Sequence, residues 1–85
     1  TFLIDPEGVM RAMVYYPMSN GRSVDEFLRL LEALQTSDTN KVATPENWKK
    51  GEPVIVPPPA TASDADKRAN EGYEYTDWYF STKQL

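Results

Sequence analysis

The chain has 85 residues, of which 40% are hydrophobic and 26% charged, and its formal net charge at pH 7 is −4. An acidic chain without clustered Lys and Arg is a poor partner for nucleic-acid phosphates or an anionic membrane surface, so neither partner is expected. The sequence has no cysteine and no histidine, which excludes disulfides, thiolate or imidazole metal sites, and nucleophilic or redox catalysis at neutral pH by this chain alone.

The first predicted element is a β-hairpin. Phe2–Ile4 is short, apolar and partly β-branched, which is typical of a strand buried on both faces. Residues 5–8 (Asp-Pro-Glu-Gly) suit a type I turn, and Val9–Tyr16 predicts the second strand. One face of that strand carries Met10, Ala12, Val14 and Tyr16. Because a natural chain rarely opens inside a buried strand, we expect the sequence to be the C-terminal remainder of a longer protein.

The second predicted element is an amphipathic helix. Pro17 ends the preceding strand because it has no N–H to donate, and Ser23 opens the helix. Ser23 and Glu26 have the spacing of a capping box, in which each side chain accepts a hydrogen bond from a backbone N–H. Apolar residues recur with the helical period, and the helix is expected to end near Gln35 or Thr36. The apolar stripe consists of Val24, Phe27, Leu28, Leu31 and Leu34, and Leu30 broadens it.

The sequence after residue 40 is irregular and rich in proline. Thr44–Trp48 predicts an N-capped single helical turn, Lys49–Pro53 a second turn, and Val54–Val56 a short strand. Pro57–Pro59 predicts an extended polyproline segment. That segment has two interpretations, a stiff connector or a ligand for an aromatic groove on another protein.

The last part of the chain combines a short helix with an aromatic tail. Residues 63–71 predict the helix, with Ser63 and Asp66 as a second capping box and Gly72 as its stop. The tail carries Tyr73, Tyr75, Trp78, Tyr79 and Phe80. Each such side chain buries roughly 150–250 Å² when it is packed. We therefore expect the tail to be an arm that lies on another subunit; a ligand platform is the alternative.

Few residues of the sequence are candidates for catalysis or for ligand binding. The acidic pairs Asp25 with Glu26 and Asp64 with Asp66 lie in first turns of predicted helices, where the helix dipole alone favours acids. No carboxylate spacing matches a calcium loop, and no glycine-rich phosphate loop is present. Arg22 is the residue we single out as a candidate functional residue, because it lies at a loop-to-helix junction one residue before a capped helix.

Five blocks of the sequence, in order, resemble the C-terminal half of peroxiredoxins. The blocks are residues 1–17 (TFLIDPEGVMRAMVYYP), 21–26 (GRSVDE), 34–38 (LQTSD), 42–59 (VATPENWKKG, then VIVPPP from Val54), and 72–80 (GYEYTDWYF). The fourth block is similar to the one-cysteine type and its archaeal relatives, and the fifth to the aromatic arm of the archaeal enzymes.

This resemblance implies an α+β fragment in two parts. Residues 1–38 correspond to the end of a thioredoxin-like domain, namely its last β-hairpin and its last helix. Residues 39–85 correspond to the irregular C-terminal extension, which serves dimerisation and ends in the aromatic arm.

The resemblance also implies a function for the longer protein. It implies a thiol peroxidase of antioxidant defence that reduces hydrogen peroxide and alkyl hydroperoxides, with its peroxidatic cysteine upstream of this chain. Arg22 matches the second arginine of the family, a supporting residue near the peroxide pocket that favours the thiolate. No metal and no cofactor are implied. The implied partners are a second copy of the chain, in a homodimer that assembles to a decamer, the hydroperoxide, and an external thiol reductant. The implied location is the cytoplasm.

One departure from the archaeal pattern concerns the arm. Archaeal relatives often carry resolving cysteines there, and Tyr75 and Ser81 stand in the corresponding places. An external thiol is therefore expected to reduce the oxidised cysteine. An alternative hypothesis is that the chain is not part of an enzyme but a standalone interaction module, which binds a partner through its proline run and aromatic tail.

Overall fold

The computed structural model describes residues 1–57, 61–67, 71–77 and 80–85. Strand β1 (Phe2–Ile4) pairs antiparallel with β2 (Met10–Met13), which confirms the predicted hairpin, but the second strand is shorter than the predicted Val9–Tyr16 and ends before Pro17. In the connecting turn, the Gly8 N–H donates to the Asp5 carbonyl at 3.0 Å, and Gly8 has a φ of 83° that favours glycine. The Asp5 carboxylate also accepts from the backbone N–H groups of Glu7 and Val9. The turn is thus stabilised by its own first residue.

The prediction that β1 is buried on both faces is wrong for the described chain. Phe2 is 61% exposed and Ile4 is 64% exposed, whereas Leu3 between them is half-buried. The alternation in the second strand is confirmed at Ala12, which is half-buried, but Met10 is 55% exposed. The physical reason is that, within the described residues, no second layer covers the outer face of this hairpin.

Helix α1 (Val24–Asn40) begins as predicted. Ser23 is its N-cap, and the Ser23 Oγ accepts from the Glu26 N–H at 3.3 Å. The reciprocal bond of the capping box is not formed, because the Glu26 carboxylate binds Arg29 instead. Phe27 packs edge-on against Tyr16 with ring centroids 6.1 Å apart, which joins the helix to the end of the hairpin.

The end of α1 was predicted four to five residues too early. Polar residues continue the helix to Asn40, and Lys41 then adopts a left-handed conformation with φ 56°. The Ser37 carbonyl accepts from the N–H groups of both Lys41 and Val42, which satisfies a free carbonyl of the last turn. Val42 is only 7% exposed, so its burial fixes the turn that stops the helix.

The core lies between α1 and the segment that follows it. Its buried members are Ala33, Val42, Trp48 and Val54. The predicted turn at 49–53 is confirmed, since the Glu52 N–H donates to the Lys49 carbonyl at 3.0 Å. The predicted helical turn at 44–48 is wrong. Asn47 has a left-handed φ of 56°, and the segment forms a tight turn in which the Trp48 N–H reaches the Pro45 carbonyl.

The C-terminal part contains more regular structure than an irregular arm. Strand β3 (Val54–Ile55) pairs with β5 (Phe80–Lys83), which pairs with β4 (Glu74–Asp77), all antiparallel. Strand β5 of the tail thus pairs with the chain's own β3, and the predicted contact of the tail with another subunit stays a prediction. Helix α2 (Ala62–Lys67) lies between β3 and β4 in the sequence.

The cap of α2 differs from the prediction. The Thr61 Oγ1 accepts from the Asp64 N–H at 3.1 Å, so Thr61 rather than Ser63 serves as the N-cap. Two of the three residues predicted as polyproline, Pro58 and Pro59, and the aromatic residues Trp78 and Tyr79 lie outside the described residues. Across the described ranges, no helix is both long enough and apolar enough to cross a bilayer.

Candidate functional site

Arg22 lies at its predicted position, at the end of the loop between β2 and α1. The loop is held at both ends. At its start the Val14 N–H donates to the Thr1 carbonyl at 2.9 Å, within it the Asn20 N–H donates to the Pro17 carbonyl at 3.0 Å, and at its end Ser23 caps the helix. Arg22 itself is exposed, and among the described residues it makes no hydrogen bond and no ion pair. Its five N–H donors are therefore open to a ligand or to another segment.

An open groove of about 550 Å³ runs beside the first turns of α1. One wall is the helix from Ser23 to Glu32, and the other is the turn from Asn47 to Lys50. The acidic side chains of the groove lie on the helix wall, Lys49 and Lys50 lie on the other wall, and Trp48, which is 3% exposed, also lines it.

Arg29 connects the two walls of this groove. Its Nε and Nη2 donate to the two carboxylate oxygens of Glu26 at 2.8 and 2.7 Å, and its Nη1 donates to the Trp48 carbonyl at 3.1 Å. Hydrogen bonding from Arg29 lowers the pKa of Glu26, and the same bonds raise the pKa of Arg29. Glu26 is thus an ionised partner of Arg29 and not half of a catalytic pair with Asp25.

A second bidentate pair joins the hairpin to the far end of α1. Arg11 Nη1 and Nη2 donate to the Asp38 carboxylate at 2.7 and 2.9 Å, and Asp5 lies 3.7 Å from the same guanidinium. Hydrogen bonding from Arg11 is the main reason that the pKa of Asp38 is lowered. This pair closes one side of an open groove of about 350 Å³, whose apolar walls come from the hairpin and from Leu31 and Leu34.

The lowered pKa of Asp38 predicts a pH dependence of stability. The contribution of the ion pair is complete above the unfolded pKa of Asp, about 3.9, and is lost as the pH falls through the lower folded value. Asp38→Asn is therefore expected to lower Tm at neutral pH and to leave it nearly unchanged near pH 2. Thermal melts of both forms over that range measure the difference. A constant difference in Tm at all pH values contradicts this assignment.

The acidic pair Asp64 and Asp66 lies only partly within the described side chains. Asp64 is exposed, and the side chain of Asp66 is not among those described. In the part of the chain that the structure describes, no three potential metal ligands lie close enough to hold an ion. The role of Arg22 remains a prediction.

The sequence reasoning missed Arg29 and the Arg11–Asp38 pair. The three-residue spacing of Glu26 and Arg29 was a signal that could have been used, since such residues are neighbours on a helix. Arg11 and Asp38 are 27 residues apart, and nothing local links them.

Tyr75 and Ser81, which by the resemblance stand where archaeal relatives often carry cysteine, are partners in the sheet. Residues 75 and 81 are paired in the β4–β5 register, and Ser81 is fully buried. The Ser81 carbonyl accepts from the Val56 N–H at 2.8 Å, which ties this position to the end of β3.

Comparisons with known proteins all lead to one family. Residues 33–72 match the C-terminal domain of 1-Cys peroxiredoxin. A peroxiredoxin of Aquifex aeolicus is 47% identical over 94 residues, an alignment that covers 99% of this chain and 42% of the relative. Peroxiredoxin 2 of Caldanaerobacter subterraneus is 45% identical, with 99% and 39% covered. The chain thus spans about two fifths of the length of these relatives.

The fold is also similar to a solved structure of the family. The yeast mitochondrial 1-Cys peroxiredoxin superposes with a TM-score of 0.82 at 33% identity, and the match covers 99% of this chain and 39% of that one. The α+β arrangement of hairpin, long helix and C-terminal strands is therefore shared with that protein.

Proposed function

The chain belongs to the peroxiredoxin family, and from this membership we propose that it forms the C-terminal part of a thiol peroxidase. The substrates proposed are hydrogen peroxide and alkyl hydroperoxides. The observation that carries this proposal is the alignment of nearly the whole chain with relatives more than twice its length. The chain has no cysteine, so the nucleophile belongs to the part of the protein that lies upstream.

The proposed reaction consumes a hydroperoxide and two thiols that come from outside the chain. A cysteine thiolate attacks one peroxide oxygen, the S–O bond forms as the O–O bond breaks, and the departing alkoxide or hydroxide takes up a proton. The resulting sulfenic acid is reduced by two thiols, which leave as a disulfide together with water. An external thiol is favoured because this arm holds no cysteine, and because the yeast relative is resolved via glutathione and thioredoxin systems.

Arg22 is the proposed supporting residue of this reaction. A guanidinium is always charged, and it offers paired donors that fit the two oxygens of a peroxide. Its positive charge also favours the thiolate over the thiol. Its exposure and its open donors, at the end of a loop fixed at both ends, support this role.

The proposed partner is a second copy of the protein, in a homodimer that assembles to a decamer in the cytoplasm. In it, residues 39–85 reach the partner subunit and shape the mouth of its active site. Large apolar side chains exposed on the hairpin and on α1 support burial against further protein. They include Phe2, Ile4, Met13, Val24 and Leu28. The alternative of a standalone interaction module gains no support from the comparisons.

The full-length protein tests the proposal. It is expected to consume hydrogen peroxide in the presence of a dithiol, and replacing its upstream cysteine by serine is expected to abolish turnover. Peroxide loss is measured directly, and mass spectrometry follows the added oxygen on the cysteine. A full-length protein that consumes no peroxide, or one whose turnover survives the cysteine replacement, refutes the proposed function.

A further inference from the structure

Arg29 joins two parts of the chain that are far apart in sequence. Its guanidinium donates to both carboxylate oxygens of Glu26, within α1, and to the carbonyl of Trp48, which is 19 residues further along. These hydrogen bonds are called the Arg29 link below. The Arg29 side chain is 20% exposed and the Glu26 side chain 43% exposed, so the link is only partly shielded from water and from salt.

The link is anchored firmly on the Trp48 side. The Trp48 ring is buried in the core with Ala33 and Val54, and its Nε1 donates to the Glu52 carbonyl at 3.0 Å. Ala33 lies four residues after Arg29, on the same face of α1. The backbone that offers its carbonyl to Arg29 is therefore fixed by packing and by a second hydrogen bond.

On the other side, the link ends in the first turn of α1. Glu26 donates its backbone N–H to the Ser23 Oγ while its carboxylate accepts from Arg29. Ser23 is the N-cap, and Arg22 directly precedes it. Successive hydrogen bonds thus connect Trp48 to Arg29, Arg29 to Glu26, and Glu26 to Ser23. Ser23 is the residue next to Arg22.

We propose that Arg29 is a positioning residue, which holds the first turn of α1 against residues 42–56 and so fixes the place of Arg22. The inference rests on the proposed function, because it assigns the Arg29 link a task through Arg22. Lysine cannot replace Arg29 in this role, since its ammonium is a single point charge and cannot bind both carboxylate oxygens and a carbonyl in one plane.

The test is a double-mutant cycle in the full-length protein, with the second-order rate of peroxide reduction measured against pH. Arg29→Lys is expected to lower the rate about tenfold to a hundredfold, as displacement of a positioned group does. The pH midpoint of the rate is expected to move upward, because a displaced Arg22 favours the thiolate less. In an Arg22→Ala background, Arg29→Lys is expected to add almost nothing to either effect.

Arg11→Lys is the matched control. It breaks another bidentate Arg–carboxylate pair, which joins β2 to Asp38 of the same helix, and Asp38 lies about 22 Å along the helix from Ser23. It is expected to lower Tm while leaving the pH midpoint unchanged. If Arg29→Lys does not fold, Glu26→Gln takes its place, because it keeps the side-chain volume and removes the charge that Arg29 holds.

Two results have different meanings. If Arg29→Lys changes the rate and its pH midpoint equally with and without Arg22, the positioning role of Arg29 is overturned, while the proposed peroxidase function stands. A wild-type protein without cysteine-dependent turnover overturns the proposed function, and the role of Arg29 with it.

Discussion

Replacing Arg22 by alanine in the full-length protein is expected to slow peroxide reduction by about a hundredfold, the typical effect of removing one donor that stabilises developing charge. Arg22 is exposed and has no partner among the described residues, so its loss removes no contact seen in this chain. The free energy of unfolding is therefore expected to change by no more than about 0.5 kcal/mol, as is usual for surface substitutions, and Tm is expected to change little. Stopped-flow measurement of cysteine oxidation gives the rate.

Arg22→Lys is the informative companion of this variant. Lysine keeps the positive charge and loses the paired donors, so the rate is expected to fall between those of wild type and Arg22→Ala. Rates equal to wild type in both variants remove Arg22 from the site.

The largest expected effect on stability comes from Trp48→Ala. Truncating a buried Trp typically costs about 3–5 kcal/mol, because it removes apolar burial and leaves a cavity. Here the ring is 3% exposed within the core, and its Nε1 satisfies the Glu52 carbonyl. Urea unfolding followed by far-UV circular dichroism measures the loss without relying on tryptophan fluorescence.

Two further variants separate the contributions of Trp48. Trp48→Phe keeps most of the apolar ring and loses the hydrogen bond, so it is expected to cost less than the alanine variant. Lys50→Ala alters an exposed residue of the next turn and is expected to change stability by no more than about 0.5 kcal/mol. Equal losses for Trp48→Ala and Lys50→Ala contradict the assignment of Trp48 to the core.

Elements with a local signal were predictable from the sequence. The turn after β1 has Asp and Gly where their backbone preferences apply, and Ser23 marks the start of α1. The end of α1 was missed because residues 37–40 are polar and carry no periodic signal. Their helical conformation depends on Val42, which lies beyond the helix and is buried.

Contacts between distant residues were not predictable. Strand β5 pairs with Val54–Ile55, nearly 30 residues earlier, and no local pattern specifies that partner. The same applies to the bond between Arg29 and the Trp48 carbonyl, because every residue has a carbonyl and its choice follows from the fold. Arg22 was singled out from its position before a capped helix, but its role was assigned only through the family resemblance, since a lone arginine before a helix has no distinctive pattern of its own.

The burial of Ser81 bears on how the arm moves during a catalytic cycle. A thiol at this position, under the strand pairing seen here, would be as inaccessible as the serine hydroxyl. To attack an oxidised cysteine elsewhere, it would first have to leave the sheet, and local unfolding would then limit each turnover. With serine in place, the proposed reduction by an external thiol does not require β5 to separate from β3, so under that proposal the sheet stays folded.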